Sequence, residues 1–237
     1  MNRVWALVPL KDFAGAKSRL TAALDADERR ALALAMARDV AAALARSRTV
    51  ARVLMVSDVP ALDRLIGVDG VEHFDTRQAR GLNEDLADAA GWAGAQGATH
   101  VLVAHADLPR LTPRAVDRFV RGAGPAPRVR AAACKEGRGT NLLLAPVPLP
   151  LPLVFGRDSL ARFCLAAATA GVAIDVVRDA ALAADIDEPG DLAALFTACA
   201  RGEPAGRATA GLLRALMPPT GGRPPRKNAE TGAAAIA

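Results

Sequence analysis

Short apolar runs alternate along the chain with longer segments in which apolar residues recur at helical spacing. The runs Val4 to Val8, Val50 to Val56 and Thr99 to Ala104 are too short for buried helices and are typical of strands covered on both faces. Similar but weaker runs predict further strands over residues 71–74, 130–134, 141–145 and 174–177.

Helices are predicted between these strands. The first begins at Asp25, which forms a capping-box pattern with Glu28, and its apolar residues then recur every four positions: Leu32, Met36, Val40 and Leu44. Thr112 followed by Pro113 marks another helix start. The remaining helices are predicted over residues 61–66, 82–95, 158–170 and 189–200. This alternation indicates an α/β fold whose mainly parallel sheet carries helices on both faces.

The length of 237 residues suits one domain of ordinary size. We assign residues 1–200 to a single domain. Residues 201–237 are rich in Gly, Pro, Ala and Arg and lack sustained periodicity beyond Leu212 to Met217. They are predicted to be a mostly disordered tail, at least from Pro218.

Composition narrows the function classes. Aromatic residues make up 3% of the chain and Tyr is absent, which argues against a single-stranded nucleic-acid binder. The net charge of +5 comes from scattered arginines, which we interpret as mainly solvated, with some available to a small anionic substrate. The N-terminus has no signal-peptide pattern, and the longest apolar stretch, Leu142 to Phe155, contains four prolines. We therefore expect a soluble cytoplasmic protein without nucleic-acid or membrane partners.

Three cations follow the first predicted strand within nine residues: Lys11, Lys17 and Arg19. The loop between them contains small residues, so both side chains and backbone N–H groups could surround a polyphosphate. It has neither the P-loop pattern nor the G-x-G-x-x-G pattern. A solvated basic loop is the alternative.

Acidic residues follow two other segments. Asp107 comes directly after a buried apolar run, where a carboxylate needs solvent, a hydrogen-bonding role or a neutralising cation such as Mg²⁺. Asp185 and Asp187 precede the last predicted helix and would share one side of an extended segment. The alternatives are a turn cap at Asp107 and a helix cap at Asp187. For His105 we expect a structural or hydrogen-bonding role.

Two glycine-containing segments suit an anionic acceptor. Gly137 to Asn141 forms a Gly-rich turn that includes Thr140, and Phe155 to Ser159 leads with Gly156 into a helix. A plain hairpin turn and a plain helix cap are the alternatives. Asn83, at the start of another helix, could contact a base or ribose.

Six motifs in this order give the chain a family resemblance. They are V-P-L-K-x-x-x-x-A-K-S-R-L, G-L-N, D-L-P, G-x-G-T-N, F-G-x-x-S and D-I-D-x-P-x-D-L. Over residues 3 to 200 the chain resembles the guanylyltransferases of deazaflavin coenzyme F-420 biosynthesis, which act on phospholactate or phosphoenolpyruvate.

The resemblance implies a Rossmann-like nucleotidyltransferase fold, GTP and Mg²⁺. GMP would pass to the phosphate of a three-carbon acid with release of pyrophosphate, and a downstream deazaflavin transferase would take the product. It implies these roles: Asp107, Lys17 and Arg19 catalytic; Lys11, Lys17 and Asn83 at the nucleotide; Asp107, Asp185 and Asp187 at metal; Thr140, Gly156 and Ser159 at the acceptor. Phe163 departs from the His expected in many relatives, which affects the shape of the acceptor pocket.

Other functions compete with this one. A related nucleotidyltransferase for a molybdenum-cofactor or sugar-phosphate acceptor usually carries a Gly-rich loop of the kind G-G-x-S-x-R-M-G after strand one, which this chain lacks. A non-catalytic nucleotide-binding module would not need all three carboxylates. Among acceptors we favour 3-phospho-D-glycerate slightly over phosphoenolpyruvate, with 2-phospho-L-lactate third. The sequence allows a homodimer without specifying one.

Overall fold

The computed structural model describes residues 3–10, 17–77, 80–122 and 128–216. Its strands are β1 (Val4–Pro9), β2 (Val50–Ser57), β3 (Val71–Asp75), β4 (His100–Ala104), β5 (Val129–Ala133), β6 (Thr140–Pro146) and β7 (Ile174–Val177). Its α-helices are α1 (Ala26–Ala45), α2 (Leu62–Ile66), α3 (Leu82–Ala95), α4 (Pro113–Arg121), α5 (Ser159–Ala170), α6 (Pro189–Ala200) and α7 (Arg207–Leu216). A short 3-10 helix covers Ser18–Leu20.

The seven strands form one sheet in the order β3-β2-β1-β4-β6-β5-β7. Strand β6 is antiparallel to both of its neighbours, β4 and β5, while the other pairs are parallel. Because six strands run the same way, their carboxyl ends meet at one edge of the sheet. The predicted α/β architecture with a mainly parallel sheet is confirmed.

Local sequence signals account for several helix starts. The Asp25 carboxylate accepts a hydrogen bond from the Glu28 N–H, and the Glu28 carboxylate accepts one from the Asp25 N–H, which completes the predicted capping box. Thr112 accepts from the N–H of Ala115 at the start of α4, where Pro113 occupies the first turn.

Each face of the sheet is covered by a separate apolar core. Alternate β1 residues face opposite sides. Ala6 packs against residues of α1 and α4, and Leu7 packs against residues of α3 and α5. This double burial explains why the strand sequences are nearly continuous apolar runs.

The packed chain extends past the predicted domain boundary at residue 200. Helix α7 contacts α1, and its Leu213 is buried with Leu32 and Met36 of α1. Asp39 of α1 caps α7 by accepting hydrogen bonds from the N–H groups of Ala208 and Thr209. Residues 201–216 therefore belong to the domain, and residues 217–237, including the tail predicted from Pro218, lie outside the described part.

The close packing of α7 on α1 requires a glycine at position 206. A Cβ atom there would come within 2.0 Å of the Asp39 carboxyl carbon. The sequence carries little periodic signal for α7, because only two residues of this helix are deeply buried: Thr209 and Leu213.

None of the described helices combines the length and the apolar composition needed to cross a bilayer.

Candidate active site

A cleft of about 760 Å³ opens at the edge where the carboxyl ends of the parallel strands meet. Three helices begin at it, because Leu82 of α3, Ser159 of α5 and Glu188 before α6 all contribute to its lining. Helix N-termini favour anions, since their free N–H groups point outward. The fold therefore places an anion-binding surface at this edge.

At the head of the cleft one ammonium group joins two carboxylates. Lys17 Nζ donates to Asp107 Oδ2 and to Asp187 Oδ1, each at 2.7 Å. The Lys17 side chain is 11% exposed, so the contact is largely shielded from water. The structure thus brings Lys17, a predicted phosphate ligand, together with two of the three predicted metal ligands.

The backbone of the loop aims Lys17 inward. Lys17 has φ of 53°, in the left-handed region that non-glycine residues seldom adopt, and its carbonyl accepts a hydrogen bond from the N–H of Leu20. Leu20 is fully buried and anchors the short helix that follows. Packing of Leu20 therefore fixes the position from which the ammonium reaches the carboxylates.

Asp107 carries its negative charge in a buried position. Burial by itself raises the pKa of this carboxyl, but the Lys17 ammonium and the nearby His105 outweigh it and hold the pKa below its ordinary value. Conversely, burial tends to lower the pKa of Lys17, and the two carboxylates raise it above its ordinary value. The Asp107 side chain is thus part of an ion triad with Lys17 and Asp187.

Asp185 completes a set of three carboxylates. Its Oδ1 accepts a hydrogen bond from Asn141 Nδ2 at 3.1 Å, and the same amide donates to the Leu182 carbonyl at 3.0 Å. Burial raises the pKa of Asp185, as do the charges of Asp107 and Asp187, against the effect of the Asn141 hydrogen bond. Three negative charges near one another favour a cation among them.

Backbone hydrogen bonds hold these segments in register. The Ile186 N–H donates to the Asp107 carbonyl at 3.2 Å, and the His105 N–H donates to the Asn141 carbonyl at 3.0 Å. The Asp187 side chain is directed to Lys17, and Glu188 is the N-cap of α6 with Asp191 as its capping-box partner. The helix-cap alternative for Asp187 is therefore wrong.

The donor set fits a divalent metal that is shared with a substrate. No group of three or more His, Cys, Asp or Glu side chains in the described residues is arranged to hold a metal ion alone. Asp107 Oδ1, however, is buried without a hydrogen-bond partner among those residues, so the structure leaves this carboxylate oxygen available to a further ligand. Mg²⁺ is commonly held by one or two carboxylates together with substrate phosphates.

The predicted acceptor residues line the opposite side of the same cleft. Thr140 and Ser159 are buried, and Gly156 has φ of 122°, a backbone conformation that suits glycine. Thr140 Oγ1 and His105 Nε2 are buried and unpartnered within the described chain. These polar atoms are free to hydrogen-bond a bound molecule.

The other predicted residues occupy varied positions. Arg19 lines the cleft with a side chain that is 71% exposed, 3.7 Å from Glu188. Asn83 pairs with the backbone of Phe155: its Oδ1 accepts from the N–H at 2.8 Å and its Nδ2 donates to the carbonyl at 3.2 Å. Asn83 thus fixes the start of the segment Phe155 to Ser159, the predicted acceptor loop, and the role of Asn83 at a nucleotide stays a prediction. Lys11 lies outside the described residues.

Two residues have structural roles that were not assigned from the sequence: Asn141 and Phe163. Asn141, which orients Asp185, was part of the G-x-G-T-N motif but was given no role. Phe163, the departure from the expected His, is fully buried and packs edge-on against Phe155 at 5.0 Å between ring centroids. Its aromatic ring supports the acceptor loop from beneath.

The sequence of the chain matches a known family over nearly all of the described length. The family model described as "Guanylyl transferase CofC like" matches residues 4–213. The chain belongs to this guanylyltransferase family. As a member it is an enzyme that transfers a nucleotidyl group, and the predicted family is confirmed.

Named relatives agree with this membership. A phosphoenolpyruvate guanylyltransferase of Conexibacter woesei is 36% identical over 215 residues, with 90% of this chain and 96% of the relative covered. A protein of the same name from Rubrobacter xylanophilus is 38% identical over 195 residues, with 81% and 93% covered.

Solved structures show the same fold at low sequence identity. A Desulfovibrio desulfuricans protein described as a nucleotide-diphospho-sugar transferase matches with a TM-score of 0.71 and 17% identity, covering 91% of this chain and 98% of that one. A CMP:2-keto-3-deoxy-manno-octonic acid synthetase complexed with CTP matches with a TM-score of 0.55 and 16% identity, covering 85% and 100%. The Rossmann-like nucleotidyltransferase fold is confirmed.

Proposed function

We propose that this guanylyltransferase transfers GMP from GTP to the phosphate of a three-carbon phospho-acid and releases pyrophosphate. The observation that carries the proposal is the ion triad of Lys17, Asp107 and Asp187 at the head of the cleft. It joins a phosphate-binding cation to metal-binding carboxylates at one point, as transfer from a triphosphate requires.

The reaction needs positioning and charge stabilisation more than acid-base chemistry. An acceptor phosphate oxygen, already ionised at neutral pH, attacks the α-phosphorus of GTP while the bond to the β-phosphate bridging oxygen breaks. Pyrophosphate leaves with the electron pair of that bond. A divalent cation held by one or two of the carboxylates Asp107, Asp185 and Asp187, together with phosphate oxygens, would neutralise the phosphate charges when bound.

The protein groups share that task. We infer that Lys17 turns from its carboxylates to the triphosphate when the nucleotide and metal arrive, and that Arg19 contacts the phosphates from its exposed position. Thr140 and Ser159 would hold the acid, with Gly156 allowing close approach of the backbone. Fixed donors of this kind bring two anions together in a reactive geometry.

Phosphoenolpyruvate is the acceptor that we propose, because the relatives quoted above carry it in their names. This reverses the slight preference for 3-phospho-D-glycerate drawn from the sequence. We further propose a cytoplasmic reaction within coenzyme F-420 biosynthesis, whose product passes to a downstream deazaflavin transferase.

One assay tests both parts of the proposal. GTP, Mg²⁺ and equal amounts of phosphoenolpyruvate, 3-phospho-D-glycerate and 2-phospho-L-lactate are supplied together, with pyrophosphate release followed over time and products identified by mass. We expect the phosphoenolpyruvate adduct of GMP. A dominant 3-phospho-D-glycerate adduct would refute the acceptor alone, whereas no adduct with any acid would refute guanylyl transfer.

Asp107→Asn tests the carboxylate in the same assay. We expect turnover to fall at least about a hundredfold, because a metal contributes several kcal/mol of charge stabilisation. Asp69→Asn, which makes the same change at an exposed turn, should keep its turnover. Full turnover in a folded Asp107→Asn protein, as judged by thermal unfolding, would contradict the metal role.

A further inference from the structure

A second cleft, of about 620 Å³, lies on the α1 and α4 side of the sheet. Its lining includes five arginines, Arg46, Arg48, Arg114, Arg118 and Arg121, together with Asp117. None of these residues lines the catalytic cleft. The structure thus gathers into one place arginines that are scattered in the sequence.

The arginines come from two distant parts of the chain. Arg46 is the C-cap of α1, and Arg48 precedes β2. The other three lie on α4 at the spacing i, i+4 and i+7, which places them on one helix face: Arg114, Arg118 and Arg121. The cleft forms where α4 packs against the turn between α1 and β2.

Asp117 makes that junction. Its Oδ1 accepts hydrogen bonds from Ser47 Oγ at 2.6 Å, from the Arg48 N–H at 2.9 Å and from the Thr49 N–H at 3.2 Å. Asp117 and Ser47 are both buried. The backbone that carries Arg48 is therefore fixed against α4 through Asp117 Oδ1, while Asp117 Oδ2 lies 3.7 Å from Arg121.

Most of the positive charge in the cleft is not neutralised. Arg118 pairs with Asp179 at 3.2 Å, and Arg121 lies 3.7 Å from Asp117. Within the described chain no ion pair involves the other three, Arg46, Arg48 and Arg114. Cations near helix C-termini are favourable, which accounts for Arg46, Arg118 and Arg121.

Arg114 has no such explanation. It lies in the first turn of α4, where a cation is unfavourable, and that turn contains no acidic residue. All five arginines are solvent-exposed, so an anion entering the cleft can reach the guanidinium groups that have no ion-pair partner in the described chain.

We propose that this cleft binds a small anion that carries two or more phosphate groups. Guanidinium groups match phosphate oxygens bidentately, and a cleft of this volume falls within the range of ligand sites. Among the described residues no aromatic side chain lines the cleft, so it offers no stacking surface for a base and we expect the phosphates themselves to be recognised. Both inorganic polyphosphates and nucleoside di- or triphosphates supply this group.

Calorimetric titration with inorganic tripolyphosphate in buffer of physiological salt tests the site. The pair Arg46→Gln with Arg114→Gln should bind one tripolyphosphate fewer per chain than the wild type. The matched pair Arg64→Gln with Arg207→Gln removes two exposed arginines elsewhere and should bind as the wild type does. The difference holds whether or not the catalytic cleft takes the same anion, so it does not depend on the proposed function.

Further titrations identify the source of the anion. Titrations with pyrophosphate and with GTP distinguish inorganic phosphate from phosphate carried by a nucleotide. For each anion, the number bound per chain in the Arg46→Gln/Arg114→Gln variant is compared with the number bound by the wild type. Equal stoichiometry in all three proteins, or an equal loss in the matched pair, overturns the proposal. So does an RNA oligonucleotide that displaces tripolyphosphate at lower concentration. If the Arg46/Arg114 pair unfolds at a lower temperature than the matched pair, Arg48→Gln replaces it, and unchanged binding in that variant also overturns the proposal.

Discussion

Lys17 holds the position that a metal ion needs in the proposed reaction. Its ammonium neutralises Asp107 and Asp187 in the absence of substrate, so the buried carboxylates are not left to repel each other. A divalent cation must displace that ammonium to reach the same oxygens. Triphosphate oxygens, by attracting Lys17, make the exchange easier, and we therefore expect metal and nucleotide to bind cooperatively.

Lys17→Met is expected to strengthen Mn²⁺ binding to the nucleotide-free protein by at least about tenfold, a difference of 1.4 kcal/mol. The substitution removes the competing ammonium but keeps an apolar stem of similar length. The signal of free Mn²⁺ in electron paramagnetic resonance measures the affinity directly. GTP turnover should fall in the same variant, because Lys17 is also the proposed phosphate ligand.

Lys135→Met is the control for this prediction. Lys135 pairs with Asp191 at 3.4 Å through a side chain that is 66% exposed, so its loss changes net charge equally without freeing Asp107. Mn²⁺ affinity in this variant should stay near that of the wild type. If both variants bind Mn²⁺ alike, the ammonium does not compete with metal.

The sequence identified most of these residues but not their relations. Motif order was enough to select Lys17, Asp107, Asp185 and Asp187. It could not reveal that Lys17 bridges two of the carboxylates, because that contact joins residues 90 and 170 positions apart. The role of Asn141 was hidden for the same reason.

At the scale of elements, Asp117 links α4 to the turn between α1 and β2. Burial tends to raise the pKa of Asp117, but hydrogen bonds from Ser47, Thr49 and the Arg48 backbone hold it below the ordinary value of 3.8. A carboxyl whose pKa is lower in the folded state stabilises the fold above its unfolded pKa. That contribution is lost as the pH falls through the folded value.

Asp117→Asn should lower the free energy of unfolding by about 2 kcal/mol at pH 7, because hydrogen bonds to a charged acceptor are replaced by weaker ones. The difference from the wild type should stay constant from pH 8 to pH 5 and should narrow below about pH 4, as the Asp117 carboxyl is protonated first in the unfolded protein and, at lower pH, in the folded one. Urea unfolding at several pH values measures it.

Asp88→Asn provides the comparison for that experiment. Asp88 pairs with Arg80 through side chains that are both more than half exposed, and such surface pairs contribute about 0–1 kcal/mol. A loss at Asp117 no larger than that at Asp88 would show that the link between α4 and the turn is not stabilising.

Most elements were predicted to within about two residues, because capping and periodicity are local properties. The capping box at Asp25 and the start of α4 at Thr112 are examples. The direction of β6 was not predicted, since an apolar run reads the same in both orientations. Only the short turn between β5 and β6, which is compatible with a hairpin, pointed to an antiparallel pair.

At the scale of the whole molecule, the domain includes the segment after residue 200. The family match to residue 213 agrees with the packing of α7 on α1. The predicted boundary falls earlier, at residue 200, because Gly, Pro and Ala dominate the following segment and α7 has only a few deeply buried side chains. This segment is held in the domain by tertiary contacts, such as the hydrogen bonds that the Asp39 carboxylate accepts at the start of α7, and these contacts are not visible in the local sequence pattern.

Leu213→Ala tests this boundary. Leu213 is 2% exposed, and removing a buried leucine side chain costs about 2–5 kcal/mol. Leu165→Ala is the matched variant, because Leu165 is 69% exposed, and its unfolding free energy should change little. Denaturant unfolding of both proteins should give a clear difference, and equal values would mean that α7 adds nothing to the domain.

The loop that carries Asp107 is held by parts of the chain that the ribosome makes much later than the loop itself. The Asp107 carbonyl accepts from the Ile186 N–H, and the Pro109 carbonyl accepts from the Gly206 N–H at 2.6 Å. A nascent chain that has emerged only to β6 has its Asp107 but none of these anchors. The loop that holds the proposed metal ligand Asp107 is therefore anchored only after residues 186 and 206 have been made, well after β6 is complete.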